Sequence, residues 1–377
     1  MPIPSLPLEI VGEIASHLRA APLDDTHDAV RAGQTLSLVC RSWYPLGQAL
    51  RWRTVDSEID TIASLDVHFR LYPHLSRLVH GFVQTAPAPE DFTEEEDPEL
   101  AATFEILAKL ISSLTHVTFI SVAEVAHVDL HHVLKAASSL PRLDVFSVLV
   151  TRKTIWTSQL ASVLANGFKS LRSFYFQTTR LSPTEEWNDS VVTRPTPLQL
   201  TNLRLAWRSV PTVTPRLLES FLSCINPTTV ETCEAIGSCA SRTTFSWLET
   251  CSNLRLLDVY VRPRDAELSI NELIDYLPRM TNLRKLTLVI NKPDTFTPFP
   301  TSIVSLLSAL PSNLRFIDAS TFIFSDGDAF PHQQLSQVGR KLRYLLYKSP
   351  SLATMLLWQP YDDRSQWFRH SSPGSSS

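Results

Sequence analysis

The sequence predicts an α/β protein in which a module of three helices is followed by an irregular right-handed α/β solenoid, curved like a horseshoe. Two observations lead to this prediction. Apolar residues recur at helical spacing within the first 52 residues, and a leucine-anchored strand pattern then recurs with a period of about 28 residues. The chain has 377 residues, which is enough for a large core and for two or more structural units.

The N-terminal module is predicted to contain three short helices. In the first, Pro7 is tolerated in the opening turn, and apolar residues follow at helical spacing as far as Leu18. Asp28 can cap the second helix, and Pro45 ends it and starts the third, which runs to Trp52. A module this small buries little surface, so its apolar side chains need a partner, either the following domain or another protein.

The segments LPLEIVGEIASHL and LSLVCRSWYPL make this module resemble an F-box. The matching residues are Leu6, Pro7, Ile10, Ile14, Leu18, Leu36, Val39, Cys40 and Trp43. F-box domains bind the Skp-type linker subunit of Skp–cullin–F-box ubiquitin ligases through this apolar face. The resemblance therefore implies that these nine residues contact the linker and that a cullin ligase complex is a partner. The alternative is that the helices only cap the open end of the next domain.

Composition and charge restrict the other partners. The net charge of −4 argues against nucleic acid as the main partner, and no apolar run is long enough to span a membrane. The first residues show no basic region followed by an apolar one, so no secretory signal is expected. The five cysteines include no Cys-x-x-Cys pair, which favours a reducing compartment, the cytoplasm or the nucleus.

The repeat consists of an apolar anchor followed by apolar residues three and five positions later. The predicted anchors are Val117, Leu143, Leu171, Leu203, Val230, Leu254, Leu283 and Leu314, and Leu75 with Leu78 is expected to open the array. Helix-like stretches separate most of these anchors, so each repeat is predicted to be one strand and one helix. A single repeat cannot bury its own apolar face, and stacking would supply the core.

Residues 74–358 resemble leucine-rich repeats, which implies a concave sheet that binds a target protein. Only Asn291 occupies the position after a strand where that family has Asn or Cys, while Thr151 and Thr179 stand in equivalent places. We therefore expect the asparagine ladder of the family to be mostly missing and the repeats to be irregular. The alternative is an unrelated α/β fold in which the leucine spacing is coincidental.

Three segments follow from these patterns. Residues 1–56 are predicted to form the F-box-like module, and residues 57–361 the repeat domain. Within the repeat domain, residues 87–99 are expected to be an exposed acidic insert. Residues 362–377, which end in Ser and Gly, are expected to be a disordered tail.

No constellation of catalytic residues emerges from the sequence. The nine glycines form neither a phosphate-binding loop nor a nucleophile elbow. His127 and His131 stand four residues apart, as in a metal pair, but no third ligand is evident, and a solvated helical turn is the preferred interpretation. Cys224, Cys233, Cys239 and Cys251 are interpreted as small buried hydrophobic residues. We expect no enzyme activity, no cofactor and no metal.

Two sets of residues are candidates for binding a target. The first is a column of arginines that directly follow the repeat anchors, and it could hold an acidic or phosphorylated peptide or simply bond the neighbouring loops. Its members are Arg172, Arg204, Arg255, Arg284 and Arg315. The second set lies at positions that strand alternation places on the outer face of the sheet. Its members are Tyr175, Trp207, Asp258, Tyr260 and Lys285, of which the two large aromatics Trp207 and Tyr260 could instead pack against a loop or a strand.

Together these features predict a substrate adaptor of a Skp–cullin–F-box ubiquitin ligase. The F-box-like helices would bind the Skp-type linker, and the repeats would hold an unknown target protein. The alternatives are a repeat-based interaction scaffold without ligase function and, last, an unrecognised enzyme.

Overall fold

The computed structural model describes most of the chain between residues 26 and 370. The described residues are 26–39, 41, 43–58, 61–85, 98–123, 127–150, 163–164, 167–178, 197–207, 215–262, 265–290, 297–298, 303–323, 344–348, 355–361 and 364–370. They fall into two compact units. The first unit comprises the described residues from 26 to 150 together with those from 163 to 171, and the second begins at residue 172.

The first unit alternates helices with a parallel sheet. Its elements are α1 (Thr26–Val39), α2 (Tyr44–Arg51), β1 (Thr54–Glu58), α3 (Ile62–Leu71), α4 (Pro73–Ser76), β2 (Gly81–Thr85), α5 (Pro98–Ser113), β3 (Phe119–Val122), α6 (His127–Ser138) and β4 (Val145–Val150). The strands β1 to β4 pair in chain order, and every pair is parallel. This order is what a strand-and-helix repeat produces when successive copies stack.

The second unit continues the same plan. Its elements are β5 (Ser173–Thr178), β6 (Asn202–Trp207), α7 (Pro215–Leu222), β7 (Thr232–Gly237), α8 (Arg242–Leu248), β8 (Leu256–Val261), α9 (Ala266–Tyr276), β9 (Lys285–Ile290), β10 (Thr297–Pro298), α10 (Ile303–Ala309), β11 (Phe316–Ile323), β12 (Tyr344–Lys348), β13 (Met355–Tyr361) and β14 (Arg364–His370). Strands β5 to β9 pair in parallel and in order, followed by β11 and β12. β13 and β14 then add to the edge in antiparallel orientation.

The anchors of the repeat are buried at a constant position, two residues before each strand from β2 to β9 and before β11. These anchors are Val79, Val117, Leu143, Leu171, Leu200, Val230, Leu254, Leu283 and Leu314, and none is more than 4% exposed. The residues three and five positions later, such as Leu257 and Val259 in β8, are completely buried. The predicted repeat is thereby confirmed as an α/β repeat with a parallel sheet, although β2 is anchored by Val79 rather than by Leu75 or Leu78.

One predicted anchor is wrong. Leu200 precedes β6, and Leu203 occupies the third position after this anchor, in register with Phe174 and Cys233. The error has a simple source, because the sequence Thr-Asn-Leu-Arg occurs both at 201–204 and at 281–284. Only the second copy contains an anchor, Leu283. Arg204 therefore lies inside its strand rather than at the strand start.

Backbone hydrogen bonds tie each repeat to the next at the residue after the anchor. The carbonyl of Arg255 accepts from the backbone N–H of Arg284 at 2.8 Å and from that of Lys285 at 3.0 Å. The same double acceptance occurs at the carbonyls of Arg53, His80 and Thr118 in the first unit and of Arg172, Thr201, Glu231 and Arg284 in the second. These bonds fix the register of each new strand before it begins.

An asparagine ladder is present, but at a different position from that of the family. The side-chain amide of Asn253 donates to the carbonyl of Thr228 at 2.6 Å, that of Asn282 to Ser252 at 2.5 Å, and that of Asn313 to Thr281 at 2.8 Å. These asparagines come directly before the anchor, in the Asn-Leu-Arg triplet. The sequence analysis did not predict these bonds. Asn291, Thr151 and Thr179 lie outside the described residues, so the expected lack of the family's own ladder stays a prediction.

The N-terminal helices cross at two glycines. A Cβ atom on Gly33 would lie 2.6 Å from the backbone nitrogen of Arg51, and one on Gly47 would lie 2.6 Å from the carbonyl oxygen of Gly33. Any larger residue would push α1 and α2 apart. α2 begins at Tyr44, directly before Pro45, which is accommodated in its first turn.

Several described elements were not expected from the sequence, among them α8 and β14. α8 was missed because its sequence RTTFSWL is rich in residues of modest helix propensity, and the burial of Phe245 and Leu248 against the sheet stabilises it instead. β14 covers residues that the sequence analysis assigns to the tail, and it pairs along its whole length with β13.

Candidate functional site

The predicted linker-binding residues are only partly described. Leu6, Pro7, Ile10, Ile14, Leu18 and Cys40 lie outside the described residues. Val39 ends α1, and its side chain is likewise not described. Leu36, on α1, and Trp43, which immediately precedes α2, are both half-buried. These two residues therefore retain part of their apolar surface for a partner.

Exposed apolar side chains are concentrated near these helices. Seven large apolar side chains are exposed in the described part of the chain, and five of them belong to residues 38–72. These five, which we call the N-terminal apolar set, are Leu38, Tyr44, Val67, Leu71 and Tyr72. Leu38 is the extreme case, with 87% of its surface exposed. Sequence reasoning missed Leu38 because it lies two residues after Leu36, away from the helical stripe that the F-box pattern defines.

The helix pair is connected to α3 through Trp52. The indole Nε1–H of Trp52 donates to Oε1 of Gln48 at 3.1 Å, and the indole ring stacks on the imidazole of His68 with centroids 5.2 Å apart. Phe69 meets the same indole edge-on. Trp52 thus holds the end of α2 against α3 and gives the helix pair a defined place in the first unit.

The strands β5 to β9 and β11 of the second unit, which we call the second sheet, carry a middle row of polar residues on their outer face, one from each strand. Every member stands four residues after its anchor, and the strand pairing places these residues side by side. This row, which we call the charged row, consists of Tyr175, Arg204, Glu234, Asp258, Thr287 and Asp318. Glu234 and Asp318 were not predicted, yet the signal was available, because position four of each repeat could have been compared across the array.

Charges within the row interact directly. Nε of Arg204 lies 3.2 Å from Oε2 of Glu234. Burial raises the pKa of the Glu234 carboxyl above its usual range, Arg204 opposes that rise and the negative charge of Asp258 adds to it. Tyr260, two residues beyond Asp258, has a phenol whose pKa is raised by burial and by Glu234 and Asp258, with Arg204 acting against them. The phenol of Tyr260 therefore shares one electrostatic environment with the row.

Two polar atoms in this row are enclosed and lack a hydrogen-bond partner. They are Oδ1 of Asp258 and Oγ1 of Thr287, which come from neighbouring strands in direct register. Thr287 is only 9% exposed, although it lies on the outer face between the completely buried, inward-facing Leu286 and Leu288. A polar atom that is enclosed without a hydrogen-bond partner lowers the free energy of unfolding. This part of the face therefore has hydrogen-bonding capacity that the fold itself does not satisfy.

The neighbouring row, toward the strand starts, combines apolar and basic side chains. Leu256 is 37% exposed, and Lys285 in the next strand places its ammonium 5.5 Å from the centroid of the Phe316 ring. Leu256, Lys285 and Phe316 are in register across β8, β9 and β11. Of the predicted outward residues, Tyr175, Asp258, Tyr260 and Lys285 are half-buried in the structure.

Trp207 is described only by its backbone, which pairs with Thr178 and Gly237. Its predicted outward position was counted from Leu203, which is not the anchor of this repeat.

The arginine column differs from its prediction in one member. Arg255, Arg284 and Arg315 follow one another at the starts of β8, β9 and β11, and their backbones are bonded in sequence. Arg172 lies in the same row, separated from them by Thr201 and Glu231. Arg255 is also 3.6 Å from the carboxylate of Glu231. Arg204 is not part of this column, since its anchor is Leu200.

The cysteine interpretation is confirmed. The residues Cys224, Cys233, Cys239 and Cys251 are buried, with at most 5% exposure, and form no disulfide bond. Burial raises the pKa of Cys233 and raises that of Cys251 to about 12, so neither thiol ionises near neutral pH.

Of the two candidate metal histidines, only His131 has a described side chain. Its Nδ1 is enclosed without a partner, and burial, followed by the nearby His132 and Lys135, lowers its pKa. Among the described residues, no group of three or more His, Cys, Asp or Glu side chains is arranged to hold a metal ion. Within the same part of the chain, no helix combines the length and apolar character needed to cross a membrane.

Comparison with known proteins identifies no relative in sequence. No family model matches the chain, and no curated protein matches it. A solved structure of the complex of Rad7 and Elc1 in yeast contains a chain that aligns with 90% of this chain and 92% of its own length, at 11% identity and a TM-score of 0.30. A TM-score this low supports no conclusion about fold or function, so the functional assignment depends on the surfaces described above.

Proposed function

We propose that this protein is a non-enzymatic substrate adaptor of a Skp–cullin–F-box type ubiquitin ligase in the cytoplasm or nucleus. The N-terminal helices bind the Skp-type linker, and the outer face of the second sheet binds the target protein. Holding the target beside the ligase raises the effective concentration of its lysines at the conjugating enzyme. The other ligase subunits carry out the transfer chemistry.

The N-terminal apolar set is the observation that supports this proposal. Fully burying one large apolar side chain contributes about 1.5–3 kcal/mol relative to leaving it in water. Leu38 and Tyr44 flank the junction between α1 and α2 and stay largely in solvent. The close crossing at Gly33 and Gly47 holds these two helices together without burying either side chain. A partner protein that covers the junction would bury these two side chains, and the free energy of that burial would stabilise the complex.

Substitution of Leu38 tests this assignment. Leu38→Asp should leave the fold intact, because the side chain is almost entirely in solvent, and should weaken binding of the Skp-type linker at least about tenfold, since one large apolar contact is replaced by a charge. The measurement is co-purification of the linker with the full chain, followed by titration. Leu268→Asp is the matched control, because Leu268 is also exposed, at 66%, but lies on α9 in the second unit.

Equal linker binding by wild type, Leu38→Asp and Leu268→Asp would refute a linker interface at the α1–α2 junction. Circular dichroism and limited proteolysis of both variants show whether each has kept its fold.

A repeat-based scaffold without ligase function is the second candidate. The observation that favours it is the stacking of Trp52 on His68, because a helix pair anchored in this way can also serve as an end cap. A cap requires no outside partner for Leu38. Under this alternative the full chain would not retain the linker at all, whereas the adaptor proposal requires retention.

A further inference from the structure

The charged row carries a net negative charge, a property on which the F-box pattern gives no information. Its formal charge is −2, since Arg204 stands against the three carboxylates of Glu234, Asp258 and Asp318. From Glu234 to Asp318 the row crosses three strand spacings, about 14 Å at about 4.8 Å per strand. A surface of this length and sign attracts a positively charged group.

The centre of the row has two polar atoms without a hydrogen-bond partner. At one end Arg204 forms an ion pair with Glu234, while Oδ1 of Asp258 has no hydrogen-bond partner. The hydroxyl of Thr287, nine-tenths buried in the adjacent strand, also lacks one. Lys285 lies one row away with its ammonium over the ring of Phe316. A basic ligand would bring donors to the centre of the row.

The environment of this position suits a long basic side chain rather than a metal ion. No three carboxylates or other ligating side chains of the described residues converge to hold a metal. Leu256, which is 37% exposed, and Val289, which is half-buried, lie on the strands of Asp258 and Thr287, two residues before and after the row. They offer apolar surface to the methylene stem of a lysine or arginine, while its charged end reaches the carboxylates.

We infer that the second sheet recognises its target through a lysine or arginine side chain, which binds at Asp258 and Thr287 between Glu234 and Asp318. This inference rests on the proposed function, in which the same face binds the target protein. It adds the chemical class of the segment that is recognised, namely a basic one, and places its key contact on β8 and β9.

Selection from a random library of 12-residue peptides displayed on phage, with the full chain as bait, tests the inference. We expect the retained peptides to share an excess of Lys or Arg at one position. The best peptide is then synthesised with that residue and with norleucine in its place. Binding of the basic form should weaken at least about tenfold when Asp258 is changed to Asn, because a charge-assisted contact is lost.

Two further variants separate recognition from folding. Thr287→Val removes only the unpartnered hydroxyl, so it should fold at least as well as wild type and yet bind the basic peptide more weakly. Asp275→Asn makes the same change in net charge as Asp258→Asn, but at an exposed position on α9. It should bind the peptide as wild type does.

Three results would overturn the inference: recovery of no binding peptide, peptides without an excess of basic residues, or equal binding by wild type and both row variants. An excess of Asp or Glu in the retained peptides would overturn it and would indicate instead that an acidic peptide binds the column of Arg255, Arg284 and Arg315. Linker binding is measured on the same protein preparation. If the chain binds the linker but selects no basic peptides, this inference alone is rejected. If the chain selects basic peptides but does not bind the linker, the ligase assignment is rejected.

Discussion

The protonation of Glu234, in the charged row, is linked to the fold. Burial raises its pKa in the folded protein even though Arg204 lies 3.2 Å away. Ionisation of this carboxyl is therefore less favourable in the folded than in the unfolded chain. The stabilisation that comes from its proton is complete below the unfolded pKa and is lost as the pH rises through the folded pKa.

Replacing Glu234 by Gln removes this pH dependence. The stability of wild type relative to Glu234→Gln should be higher at pH 4 than at pH 7, because only wild type must ionise a partly buried carboxyl over that range. Urea unfolding midpoints of both proteins at the two pH values provide the measurement.

Glu219→Gln is the control for this experiment, because it removes the same charge at an exposed position on α7. An equal difference between wild type and Glu234→Gln at pH 4 and pH 7 would contradict the role given to burial of Glu234.

At the level of the element, the triplet Asn-Leu-Arg has three separate functions in consecutive repeats. The leucine is the buried anchor, the arginine carbonyl receives the next repeat, and the asparagine amide reaches back to the previous loop. Asn253, Asn282 and Asn313 make the same bond in three successive repeats. The triplet is therefore primarily a device that sets the register between repeats.

Asn282→Ala should destabilise the protein by about 1 kcal/mol, because the carbonyl of Ser252 loses its side-chain donor. Thermal unfolding gives the measurement. The matched control is Asn271→Ala, at an exposed position on α9, where alanine favours the helix and should leave stability unchanged or slightly higher. If both substitutions have the same effect, the ladder contributes nothing to stability.

The periodicity of apolar residues was sufficient to predict most of the helices and strands, but it did not place every anchor at the correct residue. The predicted stretches that became α5, α6, α7, α9 and α10 have apolar faces that pack on the sheet. α8 carries no such signal in its sequence, since Phe245 and Leu248 are its only large apolar residues apart from Trp247. β6 was misplaced because Asn202-Leu203-Arg204 copies the triplet without containing the anchor. Local sequence cannot distinguish these two cases, because the pairing of neighbouring strands decides them.

That one error of phase also concealed the candidate site. With Leu203 as the anchor, Arg204 belongs to the arginine column, while with Leu200 it lies beside Glu234. The place of Arg204 in the charged row could therefore be assigned only from strand register. The orphaned atoms of Asp258 and Thr287 depend on side-chain packing in three dimensions, and no sequence pattern reports them.

At the level of the whole molecule, the described residues form two units, each built on a parallel sheet of stacked repeats. The predicted boundary at residue 56 and the horseshoe curvature stay predictions. The first unit contains the N-terminal apolar set and the second contains the charged row. An adaptor requires two separate binding surfaces of this kind, one for the ligase and one for the target.

Formation of a complex between the full wild-type chain and a purified Skp-type linker tests the central claim most directly. Size-exclusion chromatography with light scattering should show one linker per chain. The complex should disappear for Leu6→Asp combined with Ile10→Asp, which changes the apolar face that the F-box resemblance assigns to the linker. If the wild-type chain and the linker elute separately under conditions where another F-box protein binds, the adaptor function is contradicted.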